Sequence, residues 1–211
     1  MILQSENITK QYKGETKLIF PDIRIKQNEH LLLLGDSGSG KTTLLQILSG
    51  LLNPTSGTVT LKHSNLYELS ESKRDQLRGK HIGLVYQNPL LIKSLTVKEN
   101  IKAACRLSQS SFDPDYFTKL TKKLGIESIL SKFPHQISQG QAQRTAVARG
   151  MITKPELLLA DEPTSSLDDS NAEQVVKLFL ALTQEFGTTL IISTHDKRIT
   201  DFFENRIVLK A

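Results

Sequence analysis

The sequence predicts an α/β fold, a mostly parallel sheet with helices on its faces. Three observations carry that reading. Short apolar segments alternate with helical periodicity in the first 87 residues and again from 151 to 211. The run His30 to Leu34 stops at Gly35, and from Lys41 the apolar residues return at helical spacing, giving strand, glycine loop, helix. Between 88 and 150 the character changes: Pro89, Pro114 and Pro134 punctuate stretches rich in Lys, Leu, Ser and Gln, which read as short helices inserted between the two halves. The 211 residues are therefore expected to form one domain, with residues 1–87 and 151–211 as its core and 88–150 as a helical subdomain.

The elements follow in order. Ile2 to Thr9 and Leu18 to Ile25 are β-rich pieces separated by Lys13-Gly14, and His30 to Leu34 is a continuous apolar run of the kind buried in a sheet. The helix carrying Leu44, Leu45, Ile47 and Leu48 ends at Gly50, with Pro54 beyond as a breaker. A strand at Thr58 to Leu61, a polar stretch through Arg78 and a strand at Ile82 to Tyr86 complete the first half. Strands return at Glu156 to Ala160, Thr189 to Ser193 and Arg206 to Leu209. Between the first two, Ser170 and Glu173 fit a capping box, and Val175, Leu178, Phe179 and Leu182 form an i, i+3, i+4, i+7 stripe.

Composition excludes several classes. Hydrophobic residues at 38% and charged residues at 23% are globular values, unlike a rod, collagen or a disordered tail. Apolar runs such as Leu31 to Leu34 fall far below the roughly 18 residues that span a bilayer. No basic region followed by an apolar one marks a signal peptide, and the single cysteine, Cys105, has no internal disulfide partner, which fits a reducing cytoplasm. The net charge of +5 is uneven: +3 over residues 1–80, +6 over 81–150 and −4 over 151–211. The basic middle reads as a solvated face, or one turned toward anionic headgroups; without Trp and with 6% aromatics, stacking platforms for nucleic acid are scarce, and no nucleic-acid partner is expected.

Gly35-Asp36-Ser37-Gly38-Ser39-Gly40-Lys41-Thr42 matches the phosphate-loop pattern between a strand and a helix. Glycines let successive backbone amides face phosphate oxygens, the helix start adds its positive end, Lys41 reaches the outer phosphates, and Thr42 offers a hydroxyl to Mg²⁺. Leu157-Leu-Leu-Ala-Asp161-Glu162 is an apolar strand ending in two carboxylates. Its end lies beside a phosphate loop in such a sheet, so Asp161 is placed to hold Mg²⁺ through a water and Glu162 to orient or deprotonate an attacking water. Ser138-Gln139-Gly140-Gln141 starts a helix that runs on through Ala146 to Ala148, and Ser138 suits the cap, leaving amides free for an anion.

These motifs and their order resemble those of the ATP-binding cassette (ABC) ATPases over essentially the whole chain. The resemblance implies the ABC ATPase fold: a P-loop NTPase with an antiparallel β subdomain and the helical insertion. It implies ATP and Mg²⁺ as ligands, with Thr43 joining the phosphate loop and the segment Ser138 to Gln141 as the signature motif. Gln87 resembles the family's glutamine that touches Mg²⁺ and reports to a membrane partner, Ser166-Leu-Asp168 its D-loop, His195 its γ-phosphate histidine, and Tyr12 its adenine-stacking aromatic. The chain departs from the usual signature, which has Gly-Gly after the serine, by carrying Gln139-Gly140. The hydroxyl of Ser138 and the amide of Gly140 are expected to stay available.

Ile82-Gly-Leu-Val-Tyr-Gln-Asn-Pro-Leu-Leu, followed by Leu95-Thr-Val-Lys-Glu-Asn100, is similar to the ATPases of lipoprotein-releasing, macrolide-exporting and antimicrobial-peptide-resistance systems. The expectation is an ATPase that dimerises with a second copy around two Mg-ATP on the cytoplasmic face of the inner or plasma membrane. It would drive an integral membrane subunit in export or lipoprotein release. The alternative is a soluble ABC ATPase acting on ribosome or DNA.

Overall fold

In the computed structural model, residues 1–14, 16–164 and 169–210 are described, 169–171 by their backbone only. The first sheet is antiparallel. Strands β1 (Leu3–Lys10), β2 (Leu18–Ile19), β3 (Ile23–Ile25), β5 (Ser56–Leu61) and β6 (Ser64–Asn65) form it, in the order β2-β1-β5-β6 with β3 also on β1. The expected single strand from Leu18 to Ile25 is two, because Phe20-Pro21-Asp22 interrupts it and proline has no amide to give the ladder.

The second sheet is wholly parallel. Its strands are β4 (His30–Leu34), β7 (Ile82–Val85), β8 (Leu157–Asp161), β9 (Thr189–Thr194) and β10 (Asn205–Val208), ordered β10-β4-β9-β8-β7. Both faces are covered, so alternate residues feed two separate cores. Leu31 and Leu33 of β4, Leu157 and Leu159 of β8 and Ile191 of β9 pack with helix α1 (Lys41–Leu48) and the antiparallel sheet. Leu32, Leu158, Ala160, Leu190 and Ile192 face the other way. They meet α3 (Val97–Leu107), α4 (Pro114–Lys123), α5 (Gln139–Met151) and α6 (Asp169–Phe186).

Two expectations about helices are corrected. The polar stretch before Arg78 contains α2 (Glu71–His81), which buries no residue and so has no apolar face to reveal it. Helix α6 begins at Asp169, so Ser170 lies inside it and not at its cap. Its fully buried apolar side chains, among the described residues, are Ala172, Val176, Phe179 and Leu182, with Val175 and Leu178 only partly buried at the edge of the stripe. Where β7 crosses α5, a Cβ on Gly83 would stand 2.3 Å from the Gly150 carbonyl oxygen, so the close approach requires glycine.

Candidate active site

The loop from Gly35 to Gly40 joins β4 to α1 and turns at Gly38 and Gly40 with φ of +84° and +88°, where any other residue would be strained. Gly40 caps α1 with φ of +88°, and no side chain caps the helix in its place. The amides of the first turn therefore face the loop, with the positive end of the helix behind them. Lys41 is buried, 6% exposed. Its ammonium donates to the carbonyls of Gly35 (2.7 Å) and Asp36 (3.0 Å) and lies 3.2 Å from Glu162 Oε1.

Strands β8 and β9 end beside this loop. Thr42 Oγ1 donates to Asp161 Oδ2 at 2.8 Å, and Ser193 Oγ donates to Asp161 Oδ1. Glu162 follows with φ of +47°, a strained conformation for a residue other than glycine, and its amide donates to Ser193 O at 2.9 Å. Its carboxylate meets His195 Nδ1 at 2.9 Å and accepts from Thr194 Oγ1 at 3.3 Å. Behind His195, the Asp196 carboxylate accepts from Arg198 Nε and Nη2, both at 2.7 Å. Those guanidinium bonds hold it below the usual carboxylate range.

A cleft of about 990 Å³ opens over these groups. It brings together the expected residues Tyr12, Asp36, Ser37, Gly38, Gly40, Lys41, Thr42, Thr43, Gln87, Glu162 and His195. Tyr12, 37% exposed, stands at the antiparallel-sheet side with the Lys10 ammonium 5.3 Å from its ring centre. Gly14, Thr16 and Leu18 line the same side and were not anticipated; nothing in their spacing marks them. Gly35 and the buried Ser39 and Asp161 are not part of this lining, and Asp161 joins it through its bond from Thr42.

The segment Ser138 to Gln141 is not part of this lining. Ser138 does cap α5, but through a full capping box: its Oγ accepts from the Gln141 amide at 3.3 Å and its own amide donates to Gln141 Oε1 at 3.0 Å. The serine oxygen expected to stay available thus has a cap partner. Gln139 and Gly140 instead border a second cavity of about 250 Å³ shared with Gln87, Pro163 and Phe179. Ser166, Leu167 and Asp168 lie outside the described residues.

The profile of the family described as ABC transporter matches residues 21–165, which span the phosphate loop, the glutamine, the signature segment and both strand-end carboxylates. The chain belongs to the ABC transporter family. This ABC ATPase is 40% identical over 206 residues to the lipoprotein-releasing system ATP-binding protein LolD of Hydrogenovibrio crunogenus, covering 94% of this chain and 89% of that one. It is 39% identical over 180 residues to the uncharacterized ABC transporter ATP-binding protein YbbA of Escherichia coli K12, covering 84% and 79%. Among solved structures, the dimeric ABC transporter cassette MJ0796 superimposes with a TM-score of 0.87 at 32% identity, covering 99% of this chain and 94% of that one. The same cassette in a post-hydrolysis state bound to ADP and Pi gives 0.86. The chain is thus an ATP-binding, ATP-hydrolysing subunit of the ABC type, and no helix among the described residues is long and apolar enough to cross a membrane.

Proposed function

We propose that this cleft binds Mg-ATP and that the chain, as a second copy closes over it, hydrolyses the nucleotide to drive a separate integral membrane subunit. The observation that carries the reading is the meeting of Lys41, Thr42, Glu162 and His195 in the cleft lining, with Asp161 bonded to Thr42. Tyr12 offers its ring to the adenine. The loop amides from Asp36 to Thr43 and the Lys41 ammonium bind the phosphates.

The donor set suits a hard divalent cation: a threonine hydroxyl and a carboxylate oxygen 2.8 Å apart, with the Gln87 amide bordering the same cleft. Thr42, Asp161 and Gln87 would hold Mg²⁺, which supplies charge neutralisation on the phosphate oxygens. Glu162 takes the proton of the attacking water, and His195, bonded to it, turns its other ring nitrogen toward the γ-phosphate. Positioning and fixed charge do most of the work in such transfers.

The signature segment of one chain completes the site of another. Its exclusion from the cleft lining of its own chain supports this, as does the description of the similar cassette as dimeric. Asp168 belongs to the same dimer contact in this reading. Residues 88–150 act as the helical subdomain and 1–87 with 151–211 as the nucleotide-binding core. Gln143 of α5 ties the two by donating to the Tyr86 carbonyl at 3.3 Å, and Arg149 of α5 holds the segment just after Gln87 by donating to the carbonyls of Pro89 (2.7 Å) and Leu90 (2.8 Å). The similarity to LolD proteins favours lipoprotein release at the cytoplasmic face of a membrane, over action on ribosome or DNA. Lys41→Ala tests the site: ATP binding and turnover should be lost with the fold retained. Near-normal turnover by the folded variant would refute the assignment.

A further inference from the structure

The Asp161 carboxylate is held from two sides. Thr42 reaches Oδ2 from α1, and Ser193 reaches Oδ1 from the neighbouring strand. β8 and β9 pair in parallel with Asp161 opposite Ser193, so the two residues end adjacent strands side by side. Along β9 the side chains alternate: Leu190 and Ile192 enter one core, and Ile191 enters the other with α1. Ser193 continues the Ile191 face toward the phosphate loop and is fully buried. An aliphatic side chain would fill that place without desolvating a hydroxyl. The hydroxyl is spent on Asp161, while the Ser193 carbonyl accepts the Glu162 amide at 2.9 Å. One residue thereby holds the Asp161 carboxylate with its hydroxyl and the Glu162 backbone amide with its carbonyl.

We propose that Ser193 is a positioning residue of the ATPase site: its hydroxyl fixes the inner oxygen of Asp161 so that the outer oxygen stays aimed at Thr42 and the metal. The proposal rests on the reading that Asp161 serves Mg²⁺. Left with one anchor, the carboxylate turns about its side-chain torsions, and the geometry a small octahedral cation demands is lost. Phosphate contacts from the loop do not pass through Asp161 and are unaffected.

The test compares ATP affinity in excess Mg²⁺ with that in chelator, by calorimetry on the full chain, for the parent protein and four variants. Ser193→Thr and Ser193→Val have nearly equal volume and differ in the hydroxyl, so any packing cost is common to both. The ratio of the two affinities should fall about tenfold or more in Ser193→Val and Ser193→Ala, in the range typical of lost outer contacts to metal ligands. It should be retained in Ser193→Thr, and affinity in chelator should match the parent in the three Ser193 variants. An unchanged ratio in Ser193→Val, or equal losses in the Thr and Val variants, would overturn the proposal. Asp161→Asn separates the two levels: if it also leaves the ratio unchanged, the assignment of Asp161 to the metal fails, whereas a fall confined to Asp161→Asn removes only the role of Ser193.

Discussion

Lys41 Nζ lies 3.2 Å from Glu162 Oε1, and the two side chains are 6% and 13% exposed. The cation proposed to bind phosphate and the carboxylate proposed to activate water thus form a single shielded pair. Neither is isolated by losing the other: Glu162 keeps His195 and Thr194, and Lys41 keeps two loop carbonyls. The effects of Lys41→Ala and Glu162→Gln on thermal stability should therefore be coupled, the double variant departing from the sum by more than about 0.5 kcal/mol, the level at which residues in contact are usually distinguished. A double-mutant cycle of denaturant unfolding measures this.

Gly83 and Gly150 set how closely α5 lies on the sheet. Gly83→Ala places a methyl 2.3 Å from a carbonyl oxygen that belongs to the backbone and has little freedom to move. We expect a loss of roughly 1–3 kcal/mol, the usual cost of overpacking, and a displacement of α5 that weakens nucleotide-dependent dimerisation more than ATP binding by one chain. Urea unfolding and ATP titration of the same variant check both.

Burial holds the His30 imidazole below its ordinary value of 6.5, and its Nδ1 accepts the Leu190 amide at 3.3 Å, which only the neutral ring can do. The folded state therefore binds this proton less readily than the unfolded chain. The associated stability is fully present above pH 6.5 and declines as pH falls below it toward the lowered folded value. His30→Gln should flatten that part of the profile of melting temperature between pH 7.5 and 5; an unaltered slope would contradict the assignment. His81, also held below 6.5 by burial but next to Glu156, should account for part of the remaining slope.

How much was legible in the sequence follows from where each signal resides. β4, the glycine loop and α1 are encoded within twenty residues by an apolar run, glycines and helical spacing, and Lys41 and Thr42 came with them, while Asp161 and Glu162 were read from the end of the separate apolar run Leu157 to Ala160. Ser193 and Thr194 were missed because their partners, Asp161 and Glu162, lie across a strand pair, and only the β8–β9 register reveals them. Helix α2 was missed because periodicity detects a buried face and α2 has none. The stripe of α6 was displaced because Leu178 and Val175 are apolar but sit at the rim of the core.

The surface after Gln87 exposes Leu90 and Ile92 beside Lys93 and Lys98. If it docks the membrane subunit, reversing both charges to Glu should weaken co-purification with that subunit and spare ATP binding. Unchanged association would place the docking surface elsewhere.

Mixing Lys41→Ala with Ser138→Arg tests whether sites are shared. In a mixed dimer one site carries both lesions and the other joins an intact Lys41 to an intact Ser138. Turnover or ATP binding should rise above that of either variant alone; no gain in either, with mixed dimers shown to form, would contradict the shared site.

The central claim is that Glu162 performs the chemical step at this cleft. Glu162→Gln preserves shape and removes the base, so the most direct measurement is turnover of ATP by this variant alongside its elution from a sizing column with Mg-ATP. The account predicts that ATP is bound but uncleaved and that the variant elutes as a dimer. Hydrolysis near the parent rate would contradict it.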